Sequence, residues 1–319
     1  MALHLRRSLR GASIALVLAA GVELAAAQSK PAATRPAARA AASDSSAFDL
    51  QVKLARAHFS PGEIDGRAGS NTNRAIAAFA SARNVSPDAT AVMSALDTDT
   101  APTVISYTIA AADVAGPFIE EIPTDLIAQS QLPALPYTSP VEALAERFHV
   151  SPALLRQMNP GVTFAEGQAI KVPNIEGAPV AGPAAKVVVS KSQSGLTVFD
   201  ASNQVVFFAP VTSGSEHDPL PIGDWTVKGV SKNPTFNYNP DLFWDADPAH
   251  GKAKIPAGPN NPVGVVWIDL SKEHYGIHGT PEPSRIGHTT SHGCVRMTNW
   301  DAATVASMVK AATPVAFVE

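Results

Sequence analysis

The chain has a single cysteine, Cys294, and four of its nine histidines stand near it: His274, His278, His288 and His292. They lie in or next to the segment YGIHGTPEPSRIGHTTSHGCVRM, residues 275–297. Sulfur attacks a carbonyl as thiolate, and an unperturbed thiol with a pKa of about 8.5 is barely ionised at neutral pH. A neighbouring imidazole either accepts the proton or, as imidazolium, holds the thiolate. His278 ends an extended stretch, and Cys294 follows it across a loop able to fold back and bring the two side chains together. Gly293 lets the backbone turn sharply at the sulfur. The N–H groups of Gly293 and Cys294 could receive a developing oxyanion, which is a large contribution in acyl transfer. These residue types point to a Cys/His acyl-transfer site. A zinc site is the competing chemistry, since His274 and His278 have i,i+4 spacing, but that spacing pairs ligands only on a helix and residues 275–277 read as strand.

Such a pair needs a rigid frame, and the C-terminal part of the chain has strand texture. Short β-branched and aromatic runs recur at residues 186–190, 196–200, 205–211, 224–230, 263–269 and 315–318. Turn signals separate them at Ser213-Gly214, residues 219–223, Asn239-Pro240 and residues 258–262. One helix breaks the series, with Thr298 as cap, Asp301 three residues on, and Val305, Met308 and Val309 facing inward. The pattern predicts a mainly β unit, a sandwich or barrel with one C-terminal helix. At 319 residues, two or three domains are expected. A hydrophobic share of 45% supplies packed cores and excludes a wholly disordered chain. A net charge of −4 argues against nucleic acid as a partner, because such binders carry a basic excess.

The N-terminus reads as an address. Arg6, Arg7 and Arg10 precede an uncharged apolar run over 11–20, and Ala25-Ala26-Ala27 offers a cleavage site before Gln28. This is the layout of a secretory signal peptide, 1–27. Glu23 cuts the run short of the roughly 20 apolar residues that a membrane anchor needs. The mature chain is therefore expected to be exported, with no transmembrane span. Residues 28–46 are Ala/Pro-rich and read as a flexible linker. Cysteines in exported proteins usually pair, so a lone one is either an inert core residue or a thiol kept for reactivity.

Residues 47–97 read as compact helices. Phe48, Leu50, Val52 and Leu54 begin an apolar face, and Thr72 opens a second one with Ala75, Ile76 and Phe79. The run LQVKLARAHFSPGEIDGRAGSNTNRAIAAFASARNV resembles the small helical peptidoglycan-binding domain, through Leu54, Phe59, Gly62, Asp65, Gly66, Thr72, Ala75, Ile76 and Phe79. Residues 98–135 form a connector with a strand-like piece at 104–109. Within 136–174, VEALAERFHVSPALLRQMNPGVTFAEGQAIKVPN resembles a LysM module of βααβ order: a helix with Leu144, Ala145 and Phe148, a Ser151 cap, a second helix with Leu154 and Leu155, the Asn159-Pro160-Gly161 turn, and a final strand after Gly167-Gln168. Residues 175–185 read as a linker.

IHGTPEPSRIG followed by SHGCVRM, with IPAGPNNPVG and the Pro221-Ile222-Gly223-Asp224-Trp225 turn upstream, resembles the YkuD catalytic domain of L,D-transpeptidases over residues 186–319. The resemblance implies Cys294 as nucleophile, His278 as general base and later acid, and the main-chain carbonyl of Gly279 as the group that orients the imidazole. It implies an oxyanion hole at the Gly293 and Cys294 N–H groups, a carboxylate-binding role for Arg296, and supporting or substrate-shaping roles for Ser291 and His292. No metal and no cofactor are implied. The implied partners are peptidoglycan stem peptides, with glycan chains for the accessory domains and a lipoprotein among the candidate acceptors; the implied location is the periplasm. Two alternatives stand beside this reading: a non-catalytic wall-binding protein, and a zinc-dependent amidase or peptidase.

Overall fold

The computed structural model describes residues 45–180 and 182–319. The expected signal peptide and all but the end of the Ala/Pro-rich linker lie outside these residues. Three helices come first: α1 Ser45–Arg56, α2 Ser70–Arg83 and α3 Ala89–Ala95. Leu50, Leu54, Ile76 and Phe79 form their core with Phe59, whose ring stands edge-on to Phe79 at 5.2 Å. Gln51 ties the turns together, donating to Asp65 (2.9 Å) and Thr72 (3.0 Å) and accepting from the Gly66 N–H (2.9 Å).

The next elements are β1 Val104–Thr108, α4 Ala111–Val114, α5 Leu126–Ser130, α6 Pro140–Arg147, α7 Pro152–Met158 and β2 Ala169–Pro173. Each of α6 and α7 starts on a Ser-Pro pair: the hydroxyls of Ser139 and Ser151 accept from the N–H of Glu142 and Leu154, and proline fills the first helical position, where its missing N–H costs nothing. β1 pairs antiparallel with β2, Val104 opposite Pro173. The first strand of this βααβ unit therefore comes from the segment read as a connector, not from within 136–174. The sequence shows the strand-like piece at 104–109 but not its pairing, because the insertion holding α4 and α5 separates it from α6.

The remaining strands are β3 Lys186–Ser190, β4 Gly195–Phe199, β5 Val205–Pro210, β6 Thr212–Ser213, β7 Gly223–Lys232, β8 Phe236–Tyr238, β9 Ala253–Ile255, β10 Val266–Leu270, β11 Gly276–His278, β12 Val295–Arg296 and β13 Pro314–Val318, with α8 Asn299–Met308 before the last. Nine of them form one sheet in the order β5-β4-β3-β13-β7-β10-β11-β12-β6. The two end strands, β5 and β6, are separated in the chain by Val211 alone, so the sheet must curl until its ends meet, as in a barrel. Val189, Leu196, Val198, Ile268, Ile277, Val295 and Val305 fill the interior. α8 is capped as its sequence suggests: Thr298 accepts from the Asp301 N–H and donates to the Asp301 carboxylate at 2.7 Å. β10 starts later than the pattern implies, because Asn261 and Gly264 close a turn (2.7 Å) with Gly264 at φ +63°.

Along β5, alternation sends Phe207 into the barrel core and Phe208 into the core of the three-helix unit. The main chain of β5 also bonds that unit, Ser60 N–H to Phe208 O (2.8 Å) and Phe208 N–H to His58 O (2.9 Å), which covers an otherwise open sheet edge.

Candidate active site

β11 and β12 run parallel, with Ile277 opposite Val295 and His278 opposite Arg296. Side chains alternate along each strand, so Ile277 and Val295 point into the core while Gly276, His278, Cys294 and Arg296 share the other face. A parallel pairing requires a crossover, and residues 279–294 provide it. The loop thus returns the chain beside His278 with the cysteine one position before the strand.

His278 is almost fully buried and lies on Trp267, its partner across β10, with ring centroids 5.4 Å apart and planes at 19°. Its Nδ1 is 2.7 Å from the carbonyl of Gly279, which can only accept, so Nδ1 carries the proton and Nε2 keeps its lone pair. Burial first, then the Arg296 charge, lowers its pKa to about 3 against the opposing carbonyl bond. The Cys294 thiol is raised by burial, with the Gly276 N–H and Arg296 pulling the other way. At rest the pair is a thiol and a neutral imidazole, the first of the two states the sequence left open. In this state the thiol donates to the carbonyl of His274 at 3.7 Å.

The turn before the cysteine is tightly specified. Gly293 has φ +92°, and a Cβ there would come within 2.6 Å of the Tyr275 ring. Gly276 likewise leaves room for Trp267, whose ring would stand 2.5 Å from a Cβ. The N–H groups of Gly293 and Cys294 have no intramolecular acceptor among the described residues, so both are free to face an oxyanion. Ser291 is buried; its hydroxyl donates to Cys294 O (2.6 Å) and accepts from the Gly214 N–H (2.8 Å), a staple of the loop with no hydrogen left for substrate.

His292 Nε2 meets Asp245 at 2.7 Å, and its Nδ1 is buried without a partner. This contact holds the β8–β9 connection against the turn before Cys294, where Phe243 stands 4.9 Å from the His292 ring. Trp244 is exposed and stacks on His217 at 4.2 Å, forming a rim. Arg296 is half-buried, which lowers its pKa, while the sulfur and Glu282 raise it. The nearby acids are engaged elsewhere, Glu282 with Arg285 (3.0 Å) and Asp245 with His292, and no carboxylate pairs with Arg296 among the described residues. A guanidinium fork without a carboxylate partner, beside the thiol, suits a carboxylate ligand. His288 is exposed, and His274 turns outward to Glu273 at 3.5 Å. The histidines therefore diverge, and no group of three or more metal-type ligands forms among the described residues. Trp225 packs on the barrel core.

Three neighbours of the site have contacts that the sequence did not show. Trp267 and Asp245 stand on another strand and loop, and neither lies in a motif. Asn299 follows the cysteine motif closely; its Oδ1 accepts from the Val265 N–H at 3.1 Å, and its side chain packs where a Cβ on Gly279 would overlap it.

Residues 184–316 match the YkuD family model, described as the L,D-transpeptidase catalytic domain. The chain is 31% identical to the putative L,D-transpeptidase YkuD of Bacillus licheniformis, over 55% of this chain and 91% of that protein. It is 30% identical to the probable L,D-transpeptidase YbiS of Escherichia coli K12, over 62% of this chain and 68% of that protein. Among solved structures, L,D-transpeptidase 3 of Mycobacterium tuberculosis aligns at 17% identity and a TM-score of 0.35, covering 48% of this chain and 76% of that one, a likeness too loose to carry a conclusion. By its sequence relatives, the chain belongs to the YkuD family of L,D-transpeptidases and is an enzyme of the acyltransferase kind.

Proposed function

We propose that the mature protein is a periplasmic L,D-transpeptidase that works on peptidoglycan stem peptides through a thioester on Cys294. The observation that carries this is the β11–β12 pairing, which sets Cys294, His278 and the unpaired Arg296 on one face. Neutral His278 takes the thiol proton at Nε2 as sulfur bonds to the carbonyl of the third stem residue, a diaminopimelate. The Gly293 and Cys294 N–H groups receive the oxyanion. The bond to the terminal D-alanine breaks, and the imidazolium returns the proton to the departing amine. An acceptor amine then attacks the thioester, gives its proton to His278 and releases the sulfur, which is reprotonated. Arg296 holds a carboxylate of the stem. A second diaminopimelate as acceptor yields a 3→3 cross-link, a lipoprotein lysine an anchored protein, and water or a free D-amino acid a trimmed or edited stem.

The remaining units fit the same polymer. In this reading, 1–27 is removed on export, 28–46 is a tether, the three-helix unit over 47–97 is a peptidoglycan-binding domain, and the βααβ unit ending at residue 174, preceded by a connector and followed by a linker to 185, is a LysM-like glycan reader. Residues 186–319 carry the chemistry. The test is intact-mass measurement during turnover of a disaccharide tetrapeptide. The native protein should show a transient adduct equal to the donor less D-alanine, and Cys294→Ala should show none while melting at an unchanged temperature. Full activity in the folded alanine variant would overturn the assignment.

A further inference from the structure

The first turn of α8 is where both N-terminal units meet the catalytic one. Three successive residues each hold a different partner there. Asn299 Nδ2 donates to both carboxylate oxygens of Glu146 on α6, at 3.1 and 3.1 Å. Trp300 stacks on His149 with centroids 4.9 Å apart and planes at 9°. The Asp301 carboxylate accepts from the Ser60 hydroxyl at 3.0 Å.

Of the three, Asn299 reaches the reacting groups. It packs against Gly279, whose carbonyl accepts from His278 Nδ1 at 2.7 Å. The Glu146 side chain therefore holds an amide that packs on the Cα side of Gly279, the residue whose carbonyl holds the imidazole. The Pro259 carbonyl, which accepts from the same NH2 at 3.1 Å, and the Val265 N–H, which donates to the amide oxygen, fix which way the amide faces, and Glu146 adds the second hold on its NH2. Glu146 is itself held by the Tyr137 hydroxyl at 2.9 Å. One helical turn earlier, Glu142 accepts from Asn260 Nδ2 at 2.9 Å. Two carboxylates on one face of α6 thus grip two asparagines around the loop that leads into β10.

We propose that Glu146, outside the catalytic domain, is a positioning residue for His278, acting through Asn299 and Gly279. The inference rests on the reading of Cys294 and His278 as the reacting pair. Small displacements of a catalytic base cost rate, and partners that lock its orientation set that displacement.

Because Cys294 is the chain's only cysteine, iodoacetamide alkylation followed by intact mass reads the pair directly in the full-length mature protein. Donor kcat and KM are measured alongside. His278→Ala is the control: alkylation unchanged from wild type would end the reading of the pair, and this proposal with it. Glu146→Asp keeps the carboxyl group but withdraws it from Asn299 by one methylene; Glu146→Gln keeps the length and one accepting oxygen. We expect Glu146→Asp to lower the alkylation rate and kcat by about tenfold with KM within about twofold, and Glu146→Gln to stay within about threefold of wild type. Glu146→Ala should match the aspartate variant if it folds, and the Asp/Gln pair decides if it does not. A His278-dependent alkylation rate indifferent to Glu146→Asp, a loss confined to KM, or equal losses in the aspartate and glutamine variants would each overturn the proposal while leaving the catalytic pair standing.

Discussion

At the scale of single residues, the environment of His278 sets the charge state in which the proposed Cys294–His278 pair rests. The ring is shut between Trp267 and the protein, beside Arg296, and its pKa falls to about 3. Burial raises the thiol. Both shifts favour uncharged partners, so the proton moves only when a carbonyl is under attack. We therefore expect the Cys294 alkylation rate to climb on the alkaline side, with no inflection near the ordinary histidine value of about 6.5. A rate–pH profile from pH 4 to 10, read by intact mass, checks this; a midpoint near that histidine value would mean a resting thiolate–imidazolium pair. Cys294, His278 and Gly293 were legible as candidates because a lone thiol, a nearby imidazole and a glycine at the turn are properties of the chain itself. The contact of Trp267 with His278 was not, because it exists only through the β10–β11 register.

At the scale of elements, the short turn from Ser291 to Cys294 is the critical piece. Its hold on the 214 loop is mutual: Gly214 N–H to the Ser291 hydroxyl at 2.8 Å, and Ser291 N–H to Gly214 O at 3.0 Å. Replacing Ser291 by alanine removes the hydroxyl and orphans buried groups, at a cost of about 1–3 kcal/mol. We expect Ser291→Ala to melt several degrees lower and to lose transfer rate, with donor KM little changed; a rise in KM alone would mean that the hydroxyl meets substrate. Strands of five or more residues on the barrel were readable from the sequence, as β3, β4, β5, β7 and β13 show. β6 and β12, at two residues each, were not, because a hydrophobic period needs about four residues to register. Yet β12 is the strand that sets Cys294 beside β11.

At the scale of the whole molecule, buried ionisable groups lie where the units join. Asp301, under Ser60 and Thr298, has its pKa raised by burial to about 7. The folded chain therefore holds a proton that the unfolded chain releases above about pH 4, so this group's stabilisation is complete below that pH and is lost as pH rises through about 7. Asp301→Asn has no such titration. Its stability relative to wild type should rise between pH 4 and pH 7 in urea unfolding, and a pH-independent difference would refute the buried-proton account. The junctions also make the catalytic unit dependent on its neighbours. A fragment beginning at residue 184 would expose Phe208 and Trp300, each worth about 1.5–3 kcal/mol of burial, together with the edge of β5. We expect it to melt at least about 10 °C below the mature chain; equal melting temperatures would show that the joins contribute nothing.

The sequence by itself determined which groups could react and which segments repeat a strand or helix period, since both depend only on residue type and spacing. It also carried the caps of α7 and α8, each set by a hydroxyl beside its own helix start. Only the tertiary structure decided that β1 joins β2 across an insertion, that the sheet closes through Val211, and that Glu146, Asn299 and Asp245 stand around the loops flanking Cys294 and His278. Those contacts join residues up to 153 positions apart, and at such separation no local pattern records which of many polar side chains will meet.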